Sequence, residues 1–578
     1  MLADEVARTR SDRKLRKALT TWDLLFLSLG GIIGSGWLFA ALDASAIAGP
    51  AAIISWIIGG FIVLVIALNY AELGAMIPRS GSIVRYGQFS HGNLAGFFLA
   101  WAYFLSAVSV PAIEAEGVVG YAAAYYPSLY TLSGVLTATG IVFAGLLMVL
   151  FFFLNYLGVK MMAKTNTGMT WWKLILPLAT IVVLVVVHFN IANFTTLAPG
   201  AASGATGFMP YGFAPVMGAV ATSGIVFSFL GFRQGLDYAG EARTPQKSVP
   251  LATIFSVVIG IIVYVGLQAA FIGAVSFHSL GIPAGSWSLF LPNSSNVFAT
   301  SAVSTLYSAP FATVASSVGL VGLTYLLFAD AYISPSGTLS VYLGTSMRTL
   351  FGMGTLGLLP KQLTKVNEKR RIPVLPLVLT LIIGFIFFAP FPSWYKLVGF
   401  ITSATVFTYL VGGPAVRIFR KHASELKRPF TLKGSMILSP VAFIGASLIV
   451  YWSGWPLVGD LAIAIYIGLV VYLVFYFIHT ASGDRSVISI FSARYVKAGI
   501  WVPAYILVLS LESYLGETFL GGSNIVPYPY DLIMVIVVAA LFYVWAVYSG
   551  IKSDEIKDMI ESDSQYVQSD EFVSGGGK

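Results

Sequence analysis

The stretch "SLGGIIGSGWLFA", Ser28 to Ala40, lies in the first long apolar run of the chain. Ser28, Gly30, Gly31, Gly34, Ser35 and Gly36 fill six of its first nine positions. Each glycine inside a helix costs about 1 kcal/mol relative to alanine, so this apolar helix is weakest in its middle. An opening near Ile32 to Ser35 starts a second half-helix at about Gly36, its first amides unpaired and at the positive end of its dipole. Backbone amides with no side chain in the way suit a carboxylate. The plainer reading is close helix packing through small residues.

The setting of that helix follows from composition. Of 578 residues, 57% are hydrophobic and 10% are charged, against about 25% charged in a soluble protein. Apolar runs of roughly 20 residues recur from end to end, each long enough to cross a bilayer. Strand alternation is absent, so helices are the spanning structure. About fourteen spans are expected, making an all-α polytopic membrane protein. No cleavable leader is expected, because the N-terminus is polar and charged and the first apolar run feeds directly into the second. Cysteine is absent, which excludes disulfides and thiol chemistry. There is no Walker motif, no HExxH, no GxSxG elbow in a strand–turn–helix setting and no tetrad of metal ligands. Neither an enzyme nor an ATP-driven pump is indicated, and no cofactor or metal is expected.

The net charge of +8 does not signal nucleic acid. With fourteen spans and both termini cytoplasmic, all but three of the 33 Lys and Arg residues fall in inner segments, as the positive-inside rule requires. Arg79, Arg85 and Arg348 are placed in inner connections on this reading. A multi-pass protein of the cell membrane with cytoplasmic N- and C-termini is expected. The exceptions are Lys173, Arg233 and Lys396, the last at the outer mouth of the tenth span, where it snorkels to water. The expected organisation is a basic arm (1–20), a first repeat of five spans (21–188), an outer loop (189–215), a second repeat of five spans (216–418), peripheral helices (419–550) and a disordered cytoplasmic tail (551–578).

Two halves follow from a second glycine-interrupted span, "SGIVFSFLGFRQGLDYAGE", Ser223 to Glu241, in span six. Five spans separate the two breaks, and five is odd, so the halves are inverted. Interrupted helices in matching positions of inverted halves mark a secondary-transporter site at the repeat interface. A break over Phe227 to Gly231 leaves carbonyls unpaired, and carbonyls suit an ammonium group as amides suit a carboxylate. The two breaks together describe an α-amino acid. Phe227, Phe229 and Phe232 are candidates to close the pocket.

Lys173, in "TNTGMTWWKLILP", lies nine residues beyond Lys164 at the inner surface, about 13 Å deep by helical rise. An unpaired charge there costs at least about 2.5 kcal/mol, which points to function. It is read either as the proton carrier or as a structural lysine capping carbonyls opened by the span-one break. Arg233 either reads the side-chain carboxylate of an acidic substrate or pairs with Asp237, one turn on. Asp43, Glu72, Glu114, Glu116 and Asp330 complete the intramembrane acids. Glu72 is expected to have a structural partner, and the others are candidates for proton relay or for lining a vestibule.

At these residues the chain resembles the amino acid–polyamine–organocation (APC) superfamily. The segments concerned are "GGIIGSGWLF", "YAELGAMIPRSGSIVRYGQFSHG" (Tyr70 to Gly92) and "GFRQGLDYAGEARTPQKSVP" (Gly231 to Pro250). Within it the chain is most similar to the bacterial aspartate–proton symporter branch, through "KLILP", "FPSW", "RPFTLKG" and "IVYWSGW". The resemblance implies a LeuT-type five-plus-five inverted repeat with discontinuous helices 1 and 6 and four further C-terminal helices. It implies α-carboxylate binding at Ile32, Ser35 and Gly36, and amino-group binding by the carbonyls of Phe227 and Leu230 beside Gly231. Lys173 then takes the place that a sodium ion holds in other members, with Ser334 or Ser336 as its span-eight neighbour. The branch carries a histidine where Arg233 stands. The implied function is proton-coupled symport of an amino acid, aspartate or glutamate first, with protons and the lipid bilayer as the other partners. The alternatives are an exchanger or permease for neutral or cationic amino acids, or a nutrient receptor built on the transporter fold. The sequence fixes no oligomeric state.

Overall fold

The first apolar run forms two helices, α1 (Thr21–Ile32) and α2 (Gly36–Ala48), separated by three non-helical residues. The computed structural model describes residues 17–551 except 82, 132–133, 202–203, 293–296, 425 and 483–488, with the side chains of 159 and 160 also left aside. Most of the basic arm and nearly all of the expected tail therefore lie outside the described residues. α1 starts where it does because Thr20 and Asp23 form a capping box: the Asp23 amide donates to the Thr20 hydroxyl, and the Thr20 amide donates to the Asp23 carboxylate at 2.9 Å. Two orphan donors are satisfied at once.

The chain continues through α3 (Ala52–Met76), α4 (Ile83–Ala123), α5 (Ala138–Tyr156) and α6 (Val159–Val187). Span six is α7 (Phe213–Thr222), α8 (Ile225–Phe229), a 3-10 turn (Leu230–Arg233) and α9 (Gln234–Asp237). Then come α10 (Pro245–Ala274), α11 (Val321–Thr355), α12 (Val374–Ile386), α13 (Trp394–Tyr409) and α14 (Gly412–His422). The last four are α15 (Ser435–Trp452), α16 (Leu457–Ala481), α17 (Trp501–Leu515) and α18 (Tyr530–Ser549). Among the described residues there is no strand, only isolated bridges such as Leu19 with Ala242. Short helices occur in both long connections expected on the outer side, at Ile191–Phe194 and, in the second, at Phe277–Leu280 and Ser301–Ser308.

Each of the fourteen expected segments contains a helix or a bent pair, yet among the described residues only 10 helices, or 11 with the bent pair of span six, are long and apolar enough to cross a membrane by themselves. The reasons are local. Gly36–Met76 runs on as one 41-residue unit, joining the outer half of span one to span two. α12 has 13 residues. α11 is polar along its length, with Asp330, Arg348 and many Ser, Thr and Gly residues.

The most extensive interfaces join α4 to α11 and α3 to α10, and α1 lies against the Leu230–Arg233 turn. Each pair joins spans five apart, the arrangement expected when two inverted halves share a site between them.

Two ion pairs tie the scaffold. Glu72, buried at the end of α3, takes two hydrogen bonds from Arg420 of α14, one of them 2.8 Å, and a third at 2.7 Å from the Leu432 amide. The Arg420 side chain is 26% exposed, so Glu72→Ala is expected to lower stability by about 1.5–3 kcal/mol, the range for hydrogen bonds to charged groups. Thermal unfolding of the detergent-solubilised protein checks this. The second pair corrects the loop assignment of Arg348: α11 runs on to Thr355, and Arg348 is buried inside it, bonded to Glu241 and stacked on Tyr238 at 4.1 Å. Arg85 likewise is buried within α4, which begins earlier than its apolar run.

Candidate functional site

The break between α1 and α2 leaves the Gly30 carbonyl without its helical partner, because the Gly34 amide turns to Ile32 O at 3.1 Å. An orphaned carbonyl in a dry interior needs a donor. Lys173 of α6 supplies it: Nζ donates to Gly30 O at 2.7 Å and to the Thr338 hydroxyl of α11 at 2.9 Å, and that hydroxyl donates to Gly30 O at 2.7 Å. Lys173 is fully buried, and no carboxylate pairs with it among the described residues. The lysine thus caps the break and ties spans one, five and eight together. The span-eight neighbour is Thr338 and not Ser334 or Ser336. Ser334 instead donates to Asp330 at 2.6 Å, and Asp330 also accepts from Trp37 Nε1 at 3.1 Å.

Ile32 O, which takes the Gly34 amide, also accepts from the Tyr264 hydroxyl of α10 at 2.8 Å. On the other side of the break the Ser35 amide donates to Glu114 Oε2 at 2.8 Å. Glu114, a candidate for proton relay or for lining a vestibule, thus reaches the break itself. Its other oxygen has no hydrogen-bond partner and lies against Gly34, where a Cβ would also meet the Thr338 hydroxyl. The amide just before α2 therefore faces a carboxylate, and it is the protein's own. The Ser35 hydroxyl accepts from Trp394 Nε1 at 2.7 Å, and Trp394 stacks on Phe39 and meets Phe227 edge-on, with centroids 5.1 and 6.0 Å apart.

Span six breaks one turn earlier than expected. The kink lies at Ser223 and Gly224, where Gly224 is left-handed (φ 87°, ψ 4°) and the helices on either side meet at 47°. Only glycine takes that conformation without strain. Phe227 to Gly231 stays helical, tightening to 3-10 at Leu230, and the Phe227 carbonyl accepts the Leu230 amide. Gly231 has a different task. A Cβ there would coincide with the backbone of Gly31 and Ile32, and one at Gly36 would strike Ser228. Spans one and six cross backbone to backbone, so close packing and the break occur together in the same glycines.

Arg233 points between spans three, six, eight and ten. Its Nη1 donates to Ser106 at 3.2 Å, and the guanidinium lies over the rings of Tyr103 and Tyr342 at 4.6 and 4.8 Å. It is fully buried, and Nε and Nη2 donate to no acceptor with hydrogen-bond geometry, although the Tyr342 and Tyr409 hydroxyls are near. No ion pair joins it to Asp237, which accepts from Tyr103 instead.

Known proteins resemble this chain over most of its length. A family model described as amino acid permease matches residues 19–478. A glutamate/serine transporter, AimA, of Bacillus subtilis is 38% identical over 97% of this chain and 99% of its own length. An aspartate–proton symporter of the same organism is 34% identical over 93% of this chain and 97% of its own. A branched-chain amino acid permease, BcaP, is 25% identical over 82% and 96%.

Proposed function

The chain belongs to the amino acid permease family, and from that premise we propose that it is a proton-coupled symporter whose preferred cargo is an acidic amino acid, aspartate or glutamate. It is a multi-pass membrane protein of a transporter family and not an enzyme. We place it in the cell membrane with both termini cytoplasmic, on the distribution of its Lys and Arg residues.

The observation that carries the proposal is the fully buried Lys173 on the orphaned Gly30 carbonyl. Protonated, it holds the end of α1 to α6 and α11. On losing its proton it loses the charge that strengthens both hydrogen bonds, and α1 is released to tilt. Glu114 supplies the link to cargo. As a carboxylate it holds the Ser35 amide, and protonation frees that amide for the α-carboxylate of the substrate. Substrate and proton then favour the same state, which is what coupling requires. The resemblance implies that the α-carboxylate is bound at Ile32, Ser35 and Gly36. The amino group goes to the carbonyl side of span six at Phe227 and Leu230, where each carbonyl retains a second lone pair. The Gly231 crossing holds the two breaks in register.

Arg233 supports the acidic preference. A buried guanidinium with two uncommitted donors fits a carboxylate fork better than an apolar or cationic side chain. The names of the two Bacillus relatives above 30% identity, a glutamate/serine transporter and an aspartate–proton symporter, agree with it. Arg233→Gln is therefore expected to reduce uptake of glutamate and aspartate relative to serine by roughly 10- to 150-fold, the loss of one hydrogen bond to a charged group. A competition panel of acidic, neutral and cationic amino acids against labelled glutamate tests both the residue and the preference. Stronger competition by lysine or leucine than by aspartate would refute the acidic assignment.

A further inference from the structure

Away from the central site, α14, α15 and α18 enclose a cavity of about 290 Å3. It lies at the membrane face that carries the cationic connection between α14 and α15, with Lys427, Arg428 and Lys433. Its polar rim is made by Arg417, Lys421 and His422. Arg417 and Lys421 are four residues apart on α14, which puts them on one face about 6 Å from each other. Neither makes a hydrogen bond or ion pair with any described residue. Arg420, between them in sequence, turns the other way and is committed to Glu72 and Ser435.

The opposite wall is apolar. Met436, Val544 and Tyr548 line it and are 67%, 49% and 70% exposed. On a membrane helix such surface faces lipid, so the cavity joins two uncommitted cations to the acyl-chain region. A soluble anion would use the cations and leave the apolar wall without a role. A neutral lipid would use the wall and leave the cations unpaired.

We propose that this cavity is a binding site for one anionic phospholipid. Its phosphate lies between Arg417 and Lys421, the guanidinium as a fork and the ammonium as a point charge, and an acyl chain lies along Met436, Val544 and Tyr548. The site connects the end of span ten to the peripheral helices, and lipid binding there is independent of the transport reading above.

Native mass spectrometry of the full-length protein, equilibrated with phosphatidylglycerol or phosphatidylcholine, tests it without recourse to transport. One phosphatidylglycerol is expected to be retained about 30-fold more tightly than phosphatidylcholine, about 5-fold for each cation. Arg417→Ala with Lys421→Ala removes that preference, and Arg417→Lys with Lys421→Arg restores most of it. Lys421→Ala alone, at an exposed helix end, keeps the test valid should the double variant fold poorly, with an expected loss of about 5-fold. The proposal is overturned if the alanine variants hold phosphatidylglycerol as tightly as the native chain, or if millimolar inorganic phosphate displaces it as readily as added lipid does. It is equally overturned if truncation after Ile551 raises lipid affinity more than about tenfold, since the acidic segment 552–578 would then be the occupant.

Discussion

Lys173→Ala is expected to abolish accumulation of substrate against a gradient in reconstituted vesicles. The side chain donates to Gly30 O and to Thr338 from a fully buried position. Alanine leaves that carbonyl without its cationic donor and removes one of the two titrating groups, leaving Glu114. Loss of a charged hydrogen bond alone is worth roughly 10- to 150-fold, and loss of coupling adds to it. Initial uptake driven by an inward proton gradient is expected to fall at least tenfold, and its dependence on external pH to weaken to what Glu114 alone provides. Substrate exchange at equal pH on both sides should fall less, because it needs no change in proton occupancy. Undiminished, pH-dependent uptake by this variant would remove Lys173 from the coupling mechanism.

The second large effect is expected from Gly231→Ala. The added methyl would occupy the backbone of Gly31 and Ile32, which no rotamer change relieves. Overpacking in a tight interior costs about 1–3 kcal/mol, and here it forces spans one and six apart at their crossing. Uptake is expected to fall more than about tenfold, with a lowered thermal midpoint. Gly168, inside α6, where an added Cβ meets nothing within 4 Å, is the control: Gly168→Ala should leave uptake unchanged and hold or raise the thermal midpoint.

The two broken spans were legible in sequence because a glycine cluster is a local cost that no distant contact hides. Lys173 was legible for a related reason, since a lone charge in an apolar run has no local excuse. The position of the span-six break was less so. Gly224 and Gly231 look alike in the sequence, but the first takes a left-handed conformation and the second allows a backbone crossing, and only the packed partner of each tells them apart. Thr338 was missed for the same kind of reason. Ser334, Ser336 and Thr338 are successive hydroxyls on one helix, and the rotation of α11 against α6 decides which one meets the lysine. The one signal was that Thr338 lies four residues after Ser334, on the same face. Arg348 was assigned to a loop because the positive-inside rule counts charges without asking whether Glu241 waits inside. Glu114 reached the break because α4 packs against the opening, a tertiary fact that no local pattern carries.

The most direct test of proton coupling is uptake of labelled glutamate and aspartate by the purified protein in vesicles, with an imposed pH gradient and no sodium. The expected result is transient accumulation above equilibrium when the outside is acidic, collapse on adding a protonophore, and no response to sodium. Uptake that requires sodium, or that proceeds equally with and without the pH gradient, would contradict it.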